Sequence, residues 1–255
     1  MIYPERLIGM QRVSRETWPE QSELERLISS GASDAGVMLS PVAVRGMAVH
    51  LYAVHIHGGN LNLTAIDDLE DAVRLHVVDS LMPLREILGK HIVVCDLGSG
   101  AGFPGLPLAL ASNHEVVLLE ATKKKARFLE ETISTVGAAN VSVRAERAEE
   151  LAVTAPGAFD VVTCRAVANL AALVELAAPL LRTGGRLLAM KGTPSAAELE
   201  HGNRAARVCG MGTSEIRKYT LPGGERRSLV IYRRMGDFER SLPRRTGMAQ
   251  KKPLG

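Results

Sequence analysis

From residue 91 onward, short apolar runs alternate with segments in which apolar residues recur at helical spacing. This alternation is typical of βα units and predicts a doubly wound, mostly parallel sheet of seven strands with an α/β, Rossmann-like fold. A Pro-Gly-Gly turn separates the last two strands, which favours an antiparallel hairpin at the end of the sheet. We predict strands at 91–95, 115–119, 141–143, 159–163, 186–190, 215–220 and 229–232, and helices at 104–111, 123–136, 170–181 and 196–208.

Before residue 91 the pattern is different. Residues 23–29, 42–54 and 69–88 have helical spacing with no clear strand between them, which predicts a helical region that caps the sheet. We therefore expect an N-terminal helical extension (1–90), a core (91–233) and a basic C-terminal tail (234–255).

The stretch from 93 to 105, Val-Val-Cys-Asp-Leu-Gly-Ser-Gly-Ala-Gly-Phe-Pro-Gly, joins the first predicted strand to the first helix of the core. Glycines at 98, 100 and 102 allow positive φ angles and let a ligand approach the main chain where no Cβ stands in the way. We call residues 98–105 the glycine turn. It predicts a nucleotide-cofactor site, and the alternative is a tight turn that binds nothing.

Residues 100–105 also match the G-x-G-x-x-G fingerprint of dinucleotide-binding folds, which by itself is weak evidence. Asp96, two residues before the first glycine, would repel the pyrophosphate of a dinucleotide and would attract a cationic ligand. We expect a cofactor that carries a positive charge. A nicotinamide-dependent oxidoreductase remains the rival enzyme class.

Glu120 ends the second predicted strand, about twenty residues after the glycine turn, where nucleotide-binding sheets place an acid that accepts hydrogen bonds from ribose hydroxyls. Its alternative role is to cap the next helix. The charged loop 147–150 follows the third strand and lies where such folds reach adenine.

Three residues end the fourth and fifth predicted strands. Cys164 lacks the preceding proline of cytosine-C5 methylating enzymes, so we interpret it as a small buried hydrophobic residue. Arg165 and Lys191 fall at the mouth of the ligand crevice, where two cations suit phosphate; salt bridges to local acids are the alternative.

Composition adds limits. Three distant cysteines without a C-x-x-C pair argue against a disulfide framework and a zinc site and favour a reducing cytoplasm, and we expect no bound metal. The first residues carry no export signal and no apolar run approaches membrane-spanning length, so we expect a cytoplasmic protein without a membrane partner. Net charge is +3, yet residues 233–255 hold seven Lys or Arg and two Asp or Glu, which indicates a nucleic-acid contact or a solubilising end.

These motifs together resemble the GidB (RsmG) family, bacterial enzymes that methylate N7 of a guanine in 16S ribosomal RNA. The resemblance runs from about residue 60 to the end and rests on His-Val-Val-Asp-Ser (76–80), the glycine turn with the preceding Asp96, Cys-Arg-Ala (164–166), Met-Lys-Gly (190–192), Gly-Glu-Arg-Arg (224–227) and the terminal 243–254. A Trp-Asn pair that precedes Asn-Leu-Thr in family members is replaced here by His57-Gly58.

The resemblance implies the class I methyltransferase fold, S-adenosyl-L-methionine as cofactor, and 16S rRNA or the small ribosomal subunit as the partner. We expect the enzyme to be a monomer. Arg165 and Lys191 are expected in catalysis. Lys191, Arg226, Arg244 and Arg245 are expected to face RNA. The residues expected at the cofactor are Asp96, Gly98, Gly100, Phe103, Glu120, Ala121, Thr122, Ala148, Glu149 and Arg165.

Guanine N7 has an in-plane lone pair and no hydrogen, so its methylation needs no general base. Catalysis then comes mainly from alignment of N7, methyl carbon and sulfur. We expect Arg165 to brace backbone or cofactor and not to touch N7. His76 and Asp79 share a helix face, either as site residues or as a pair in which Asp79 orients His76. A non-catalytic RNA-binding module on the same scaffold is the other rival function.

Overall fold

The structure is a computed structural model that describes residues 20–66 and 68–255. Within them one sheet contains the strands β1 Val93–Leu97, β2 Glu115–Leu119, β3 Val141–Arg144, β4 Phe159–Arg165, β5 Leu181–Lys191, β6 Glu215–Thr220 and β7 Arg226–Arg233. Their order is β3-β2-β1-β4-β5-β7-β6. The first five strands pair in parallel, and β7 runs antiparallel to both β5 and β6. The predicted sheet and its terminal hairpin are confirmed.

The helical elements are α1 Gln21–Asp34, α2 Pro41–Leu61, α3 Leu69–Ala72, a π-helical segment Val73–Val78, α4 Asp79–Leu81, a 3₁₀ turn Met82–Glu86, α5 Gly105–Leu110, α6 Lys123–Val136, α7 Ala148–Thr154, α8 Leu170–Ala177, α9 Ala196–Val208 and α10 Met248–Lys251. The helical character predicted over 69–88 is confirmed for 69–86, where the chain changes helical type three times. The Ser80 hydroxyl donates to the carbonyl of His76, and Pro83 has no N–H to continue an α-helix. The short α7 was not predicted.

Each face of the sheet is covered by its own set of helices. Residues of α1, α2, α5 and α6 pack on one face around Leu118 and Leu188, and residues of α7, α8 and α9 pack on the other around Val162 and Leu187. Ser40 starts α2, since its hydroxyl accepts a hydrogen bond from the N–H of Ala43 at 3.2 Å. Helices of the N-terminal region therefore lie against the sheet, as expected of a cap. The domain limits at 90 and 233 stay predictions.

The basic tail is held by the rest of the protein. Ala249 and Leu254 are buried in the same apolar cluster as α8, and α10 forms within the segment. We call residues 243–254 the C-terminal segment. It is too poor in apolar residues to fold alone and takes its structure from α8 and α7.

No helix in the described part of the chain combines the length and the apolar character that crossing a bilayer requires. The absence of an export signal was argued from the first residues, and residues 1–19 lie outside the described ones.

Candidate functional site

The glycine turn starts at the carboxyl end of β1, between β2 and β4. This is the point where the strand order reverses, which is where doubly wound sheets bind ligands. Leu119 holds the turn, because its carbonyl accepts hydrogen bonds from the N–H of Gly98 at 2.9 Å and of Ser99 at 3.1 Å. Gly98 has φ +71°, and a Cβ there would stand 2.8 Å from a methyl of Val167. Only glycine fits at 98 without strain.

Asp96 lies under the glycine turn, sealed from solvent. Its Oδ2 accepts a hydrogen bond from the N–H of Gly105 at 2.9 Å, and its Oδ1 has no hydrogen-bond partner. Burial raises the pKa of this carboxyl to about 7, against the lowering effect of the Gly105 bond. This corrects the expectation that Asp96 itself meets a cationic ligand. Side chains alternate along β1, so Asp96 faces α5 and holds the turn in place.

Glu120 ties the glycine turn to the chain that follows β2. Its Oε2 accepts a hydrogen bond from the N–H of Gly100 at 3.0 Å, and its Oε1 accepts one from the N–H of Thr122 at 2.7 Å. The carboxylate is nearly buried. Each oxygen keeps a second lone pair, so the arrangement leaves room for the expected ribose hydroxyls.

A cavity of about 80 Å³ opens beside the turn. Four of the predicted cofactor residues line it: Gly98, Ala121, Ala148 and Glu149. The other six do not belong to its lining. They are Asp96, Gly100, Phe103, Glu120, Thr122 and Arg165, and they surround the turn or lie behind it. Gln250 of α10 also lines the cavity, and nothing in the sequence pattern indicated it.

The hydrogen bonds of the turn decide which cofactor fits. A pyrophosphate needs free N–H groups at the start of the helix after the turn. Here Asp96 already accepts from the N–H of Gly105 at the start of α5, and Glu120 accepts from the N–H of Gly100 within the turn. Of the two, the Glu120 carboxylate keeps lone pairs for ribose hydroxyls, which suits a phosphate-free cofactor with a ribose. The residues present fit S-adenosylmethionine and do not fit a dinucleotide.

Arg165 is held by a network that joins three parts of the fold. Its guanidinium donates to the carbonyl of Leu75 at 2.7 Å and pairs with Asp79 at 3.2 Å. Tyr219 of β6 donates to the other oxygen of Asp79 at 2.8 Å, and Arg227 of β7 approaches the carboxylate at 3.8 Å. Asp79 is buried, so three groups, Arg165, Tyr219 and Arg227, satisfy one carboxylate away from water. Asp79 thus orients Arg165, and the structure places it on Arg165 and not on His76.

The neighbours of His76 determine which of its two ring nitrogens carries the proton. Its Nδ1 lies 3.5 Å from an Arg165 nitrogen that can only donate, and its Nε2 lies 2.7 Å from the Thr64 hydroxyl. The ring therefore carries its proton on Nε2. Burial, with Arg165 nearby, lowers the pKa of His76 to about 3, so the ring is neutral at physiological pH.

Phe103 connects the glycine turn to the N-terminal helices. Its ring stacks on His76 at 4.8 Å between centroids and contacts the ring of His50 at 4.4 Å. The Arg165 guanidinium lies 5.4 Å from the same ring. His50 of α2 donates from Nε2 to the carbonyl of Ala101 at 2.7 Å, which fixes the middle of the turn. Sequence reasoning missed His50, because it lies far from every motif.

The imidazole of His50 makes stability depend on pH. Burial lowers its pKa to about 4 from 6.5. Between these values the unfolded chain binds a proton that the folded protein does not, so stability rises as pH rises from about 4 to 6.5. We expect this group to contribute about 3 kcal/mol across that window. His50→Gln keeps a donor for Ala101 without titrating, and urea unfolding from pH 4 to 7 should show a smaller rise than in the wild type.

The Asp96 carboxyl has the opposite effect on the pH dependence of folding stability. Its pKa is raised, so its ionisation lowers stability as pH rises from about 4 to 7. Asp96 is present in both His50→Gln and the wild type, so its contribution cancels in the difference between their pH profiles. Parallel pH profiles of the two proteins would contradict the assignment to His50.

The cations expected to face RNA are placed differently from one another. Lys191 pairs with Glu198 at 2.8 Å and donates to the carbonyl of Ala168 at 3.2 Å. The β5–β7 register sets Lys191 opposite Ser228, near the exposed Arg226. Arg245 is also exposed. Arg244 differs from these residues because its guanidinium pairs with a buried carboxylate.

Arg244 turns inward. Its guanidinium forms two hydrogen bonds with the buried carboxylate of Glu175, both at 2.6 Å. A carboxylate buried on α8 needs a paired cation, and this one comes from the tail. Arg244 is therefore a structural residue, which corrects the expectation that it faces RNA.

The cysteines behave as small hydrophobic residues. All three are free and buried, and burial raises the pKa of each thiol. This supports the reading of Cys164. Ala166, two residues later, adopts φ +56°, an unfavourable backbone conformation for alanine that lies beside the cavity residue Val167.

A wider groove of about 1070 Å³ lies on another part of the molecule, between α9 and the loops at Gly210 and Met235. None of the predicted site residues lines it. The chemistry is concentrated at the smaller cavity beside the glycine turn.

Residues 46–230 match the family model GidB, described as rRNA small subunit methyltransferase G. The chain is 42% identical over 207 residues to ribosomal RNA small subunit methyltransferase G of Thermotoga petrophila, across 81% of this chain and 90% of that protein. It is 40% identical over 236 residues to the protein of the same name from Deinococcus radiodurans, across 89% and 92%.

Among solved structures, the chain is similar to P. horikoshii TYW2 in complex with MeSAdo, with a TM-score of 0.52. Sequence identity is 17%, and the match covers 64% of this chain and 63% of that one. This likeness concerns the fold alone.

Proposed function

The chain belongs to the GidB family of rRNA small subunit methyltransferases G, and from this premise we propose that it transfers a methyl group from S-adenosylmethionine to N7 of a guanine in 16S rRNA. The fold is that of class I S-adenosylmethionine-dependent methyltransferases. The RNA substrate and the modified atom are the parts that experiment has to test.

One observation supports this function above the others. The N–H groups of the glycine turn that would bind a pyrophosphate already donate to Asp96 and Glu120, and Glu120 keeps lone pairs that can accept hydrogen bonds from ribose hydroxyls. The oxidoreductase alternative is not favoured for the same reason. S-adenosylmethionine supplies an activated methyl group on a cationic sulfur.

The chain's own residues suit an acceptor that has no proton to lose. His76 is neutral at physiological pH, and its Nδ1 and Nε2 are occupied by Arg165 and Thr64. It is not placed as a general base. Methylation of N7 makes the purine more positive, so a bare cation beside the ring would oppose the reaction. Asp79 compensates the charge of Arg165 at 3.2 Å.

Rate enhancement at such a site comes mainly from alignment of the acceptor with the methyl group, which supplies up to about 7–11 kcal/mol in well-oriented systems. Arg165 contributes by rigidity, since it joins the π-helical segment, α4 and β4 through Leu75 and Asp79. Loss of that network would misplace the surrounding loops.

RNA phosphates would meet the exposed cations near the carboxyl ends of the strands. Arg226 at the start of β7 and Arg245 on the C-terminal segment are exposed, and Lys191, part-exposed and paired with Glu198, lies opposite Ser228 in the β5–β7 pair. Phosphate contacts of this type orient a nucleic acid without reading its sequence. We expect the protein to act as a monomer in the cytoplasm.

Methyl transfer to RNA tests the proposal. The purified protein, with radiolabelled S-adenosylmethionine, is offered free 16S rRNA and whole small subunits in parallel, with 23S rRNA as the control. We expect label in at least one of the two 16S samples, and digestion to nucleosides followed by mass spectrometry should identify 7-methylguanosine. Binding of RNA with no transfer to any sample would favour the non-catalytic alternative, and a different methylated nucleoside would refute the N7 assignment.

A further inference from the structure

The C-terminal segment contributes a side chain to the cofactor cavity. Gln250 of α10 lines the same cavity as Gly98 after β1 and Ala148 at the start of α7. Gln250 is the most C-terminal residue of the cavity lining, and it does not belong to any of the motifs at the strand ends.

The segment is fixed to α8 through a buried ion pair. Glu175 is only 3% exposed on a helix whose described residues are all buried, and it accepts two hydrogen bonds from Arg244. The N–H of Leu254 donates to the same carboxylate at 3.1 Å, and Arg244 also donates to the carbonyl of Lys252 at 2.7 Å. Both ends of the segment therefore converge on Glu175.

A second link joins the segment to the cavity itself. The N–H of Gly247 donates to Oε1 of Glu149 at 2.7 Å, and Glu149 is a lining residue. Gly247 has φ +81°, a conformation that favours glycine, and α10 begins directly after it. Gln250 is thus held at the cavity by contacts on both sides of it in the chain.

The chemistry of the amide distinguishes Gln250 from its neighbours. The other polar side chains of the lining are charged: Glu146, Arg147 and Glu149. A carboxylate only accepts hydrogen bonds and a guanidinium only donates them, whereas a glutamine amide does both. The edge of an adenine presents an amine donor beside a ring-nitrogen acceptor, which an amide can pair with and a single charged group cannot.

We propose that the C-terminal segment forms one wall of the cofactor site and that the amide of Gln250 hydrogen-bonds the adenine edge of the cofactor. This rests on the proposed function and adds to it a residue that determines cofactor specificity. The loops after β1, β2, β3 and β4 contribute to the other walls.

The test compares two ligands that differ only at the purine edge, S-adenosylhomocysteine and its 6-deamino analogue, in which hydrogen replaces the amine and the ring nitrogens are unchanged. Calorimetry on the full-length protein should show that the wild type prefers the adenosyl ligand. Gln250→Ala should weaken adenosyl binding by about fivefold, as for one or two hydrogen bonds, and should shrink the preference by a similar factor. Lys251→Ala, an exposed neighbour outside the lining, should keep wild-type values.

The outcomes separate three cases. Equal weakening of both ligands by Gln250→Ala, with the preference kept, would assign Gln250 a merely structural role and overturn the proposal, as would no change at all. A wild type that binds neither ligand would refute the cofactor assignment itself. Thermal unfolding of each variant checks that folding is intact, which we expect because Gln250 is exposed.

Discussion

Replacement of Arg244 by alanine should lower the free energy of unfolding by about 3–5 kcal/mol, the cost of leaving one member of a buried ion pair without its partner. Glu175 is 3% exposed and its two hydrogen bonds from Arg244 are both 2.6 Å long. The pairing also acts on the cation, since the hydrogen bonds that Arg244 donates to Glu175 raise the pKa of Arg244. Urea unfolding at neutral pH measures the loss.

Two further variants separate charge pairing from other causes. Arg245→Ala removes the same charge from the exposed neighbouring residue and should change stability by less than about 0.5 kcal/mol. The double variant Glu175→Leu with Arg244→Met removes both charges together, and it should recover most of the lost stability. If Arg244→Ala were as stable as the wild type, the ion pair between the C-terminal segment and α8 would not stabilise the protein as described.

Replacement of Gly98 by aspartate should weaken binding of S-adenosylhomocysteine by about 100-fold, which corresponds to about 2.7 kcal/mol of binding free energy. The new Cβ would stand 2.8 Å from a methyl of Val167 in the lining of the cavity. The carboxylate beyond it would have to occupy space that the cofactor needs. Calorimetry gives the affinity, and circular dichroism establishes that the fold is kept.

Gly137→Asp is the matched control. Gly137 also has positive φ, at +74°, and a Cβ there meets nothing within 4 Å. It ends α6, at the opposite end of that helix from the cavity. The backbone strain of about 1–2 kcal/mol and the added charge are then similar, while the affinity should stay within about a factor of two of the wild type. Equal effects of the two substitutions on affinity would remove Gly98 from the site.

Much of the fold follows from local pattern. Strands such as Glu115–Leu119 are short apolar runs with turn residues at both ends, so their existence could be predicted, and their parallel order follows from the helices between them. Boundaries are less certain: β1 was predicted at 91–95 and spans Val93–Leu97. The helical character predicted over 69–88 is confirmed for 69–86, but the changes of helical type there have no signal in the apolar pattern, because a hydroxyl and a proline act within it.

The sequence predicted the candidate site only where the residues that form it are adjacent in the chain, as in the glycine turn. The glycines at 98, 100 and 102 adopt positive φ, and they identify the turn in the sequence. The side chains that complete the site come from elsewhere, and His50, Tyr219 and Glu175 carry no local signal. A histidine on an apolar helix or a glutamate among alanines and leucines becomes informative only when folding supplies its partner, here Ala101 or Arg244.

The role first given to Asp96 shows the same limit. Its position before the glycines correctly disfavoured a pyrophosphate, yet the mechanism is indirect. The carboxylate occupies the N–H of Gly105 that a phosphate would need, and it is itself sealed from any ligand. Sequence indicates which residue types surround a turn, whereas the direction of a side chain depends on strand alternation and on the helix packed below.

The account depends on a glycine turn that accepts a cationic, ribose-containing methyl donor and rejects a dinucleotide. Calorimetry of the wild-type protein with S-adenosylhomocysteine and, separately, with NAD tests this most directly. We expect one equivalent of S-adenosylhomocysteine to bind and NAD to produce no heat of binding. Binding of NAD, or the absence of binding by S-adenosylhomocysteine to the folded protein, would contradict it.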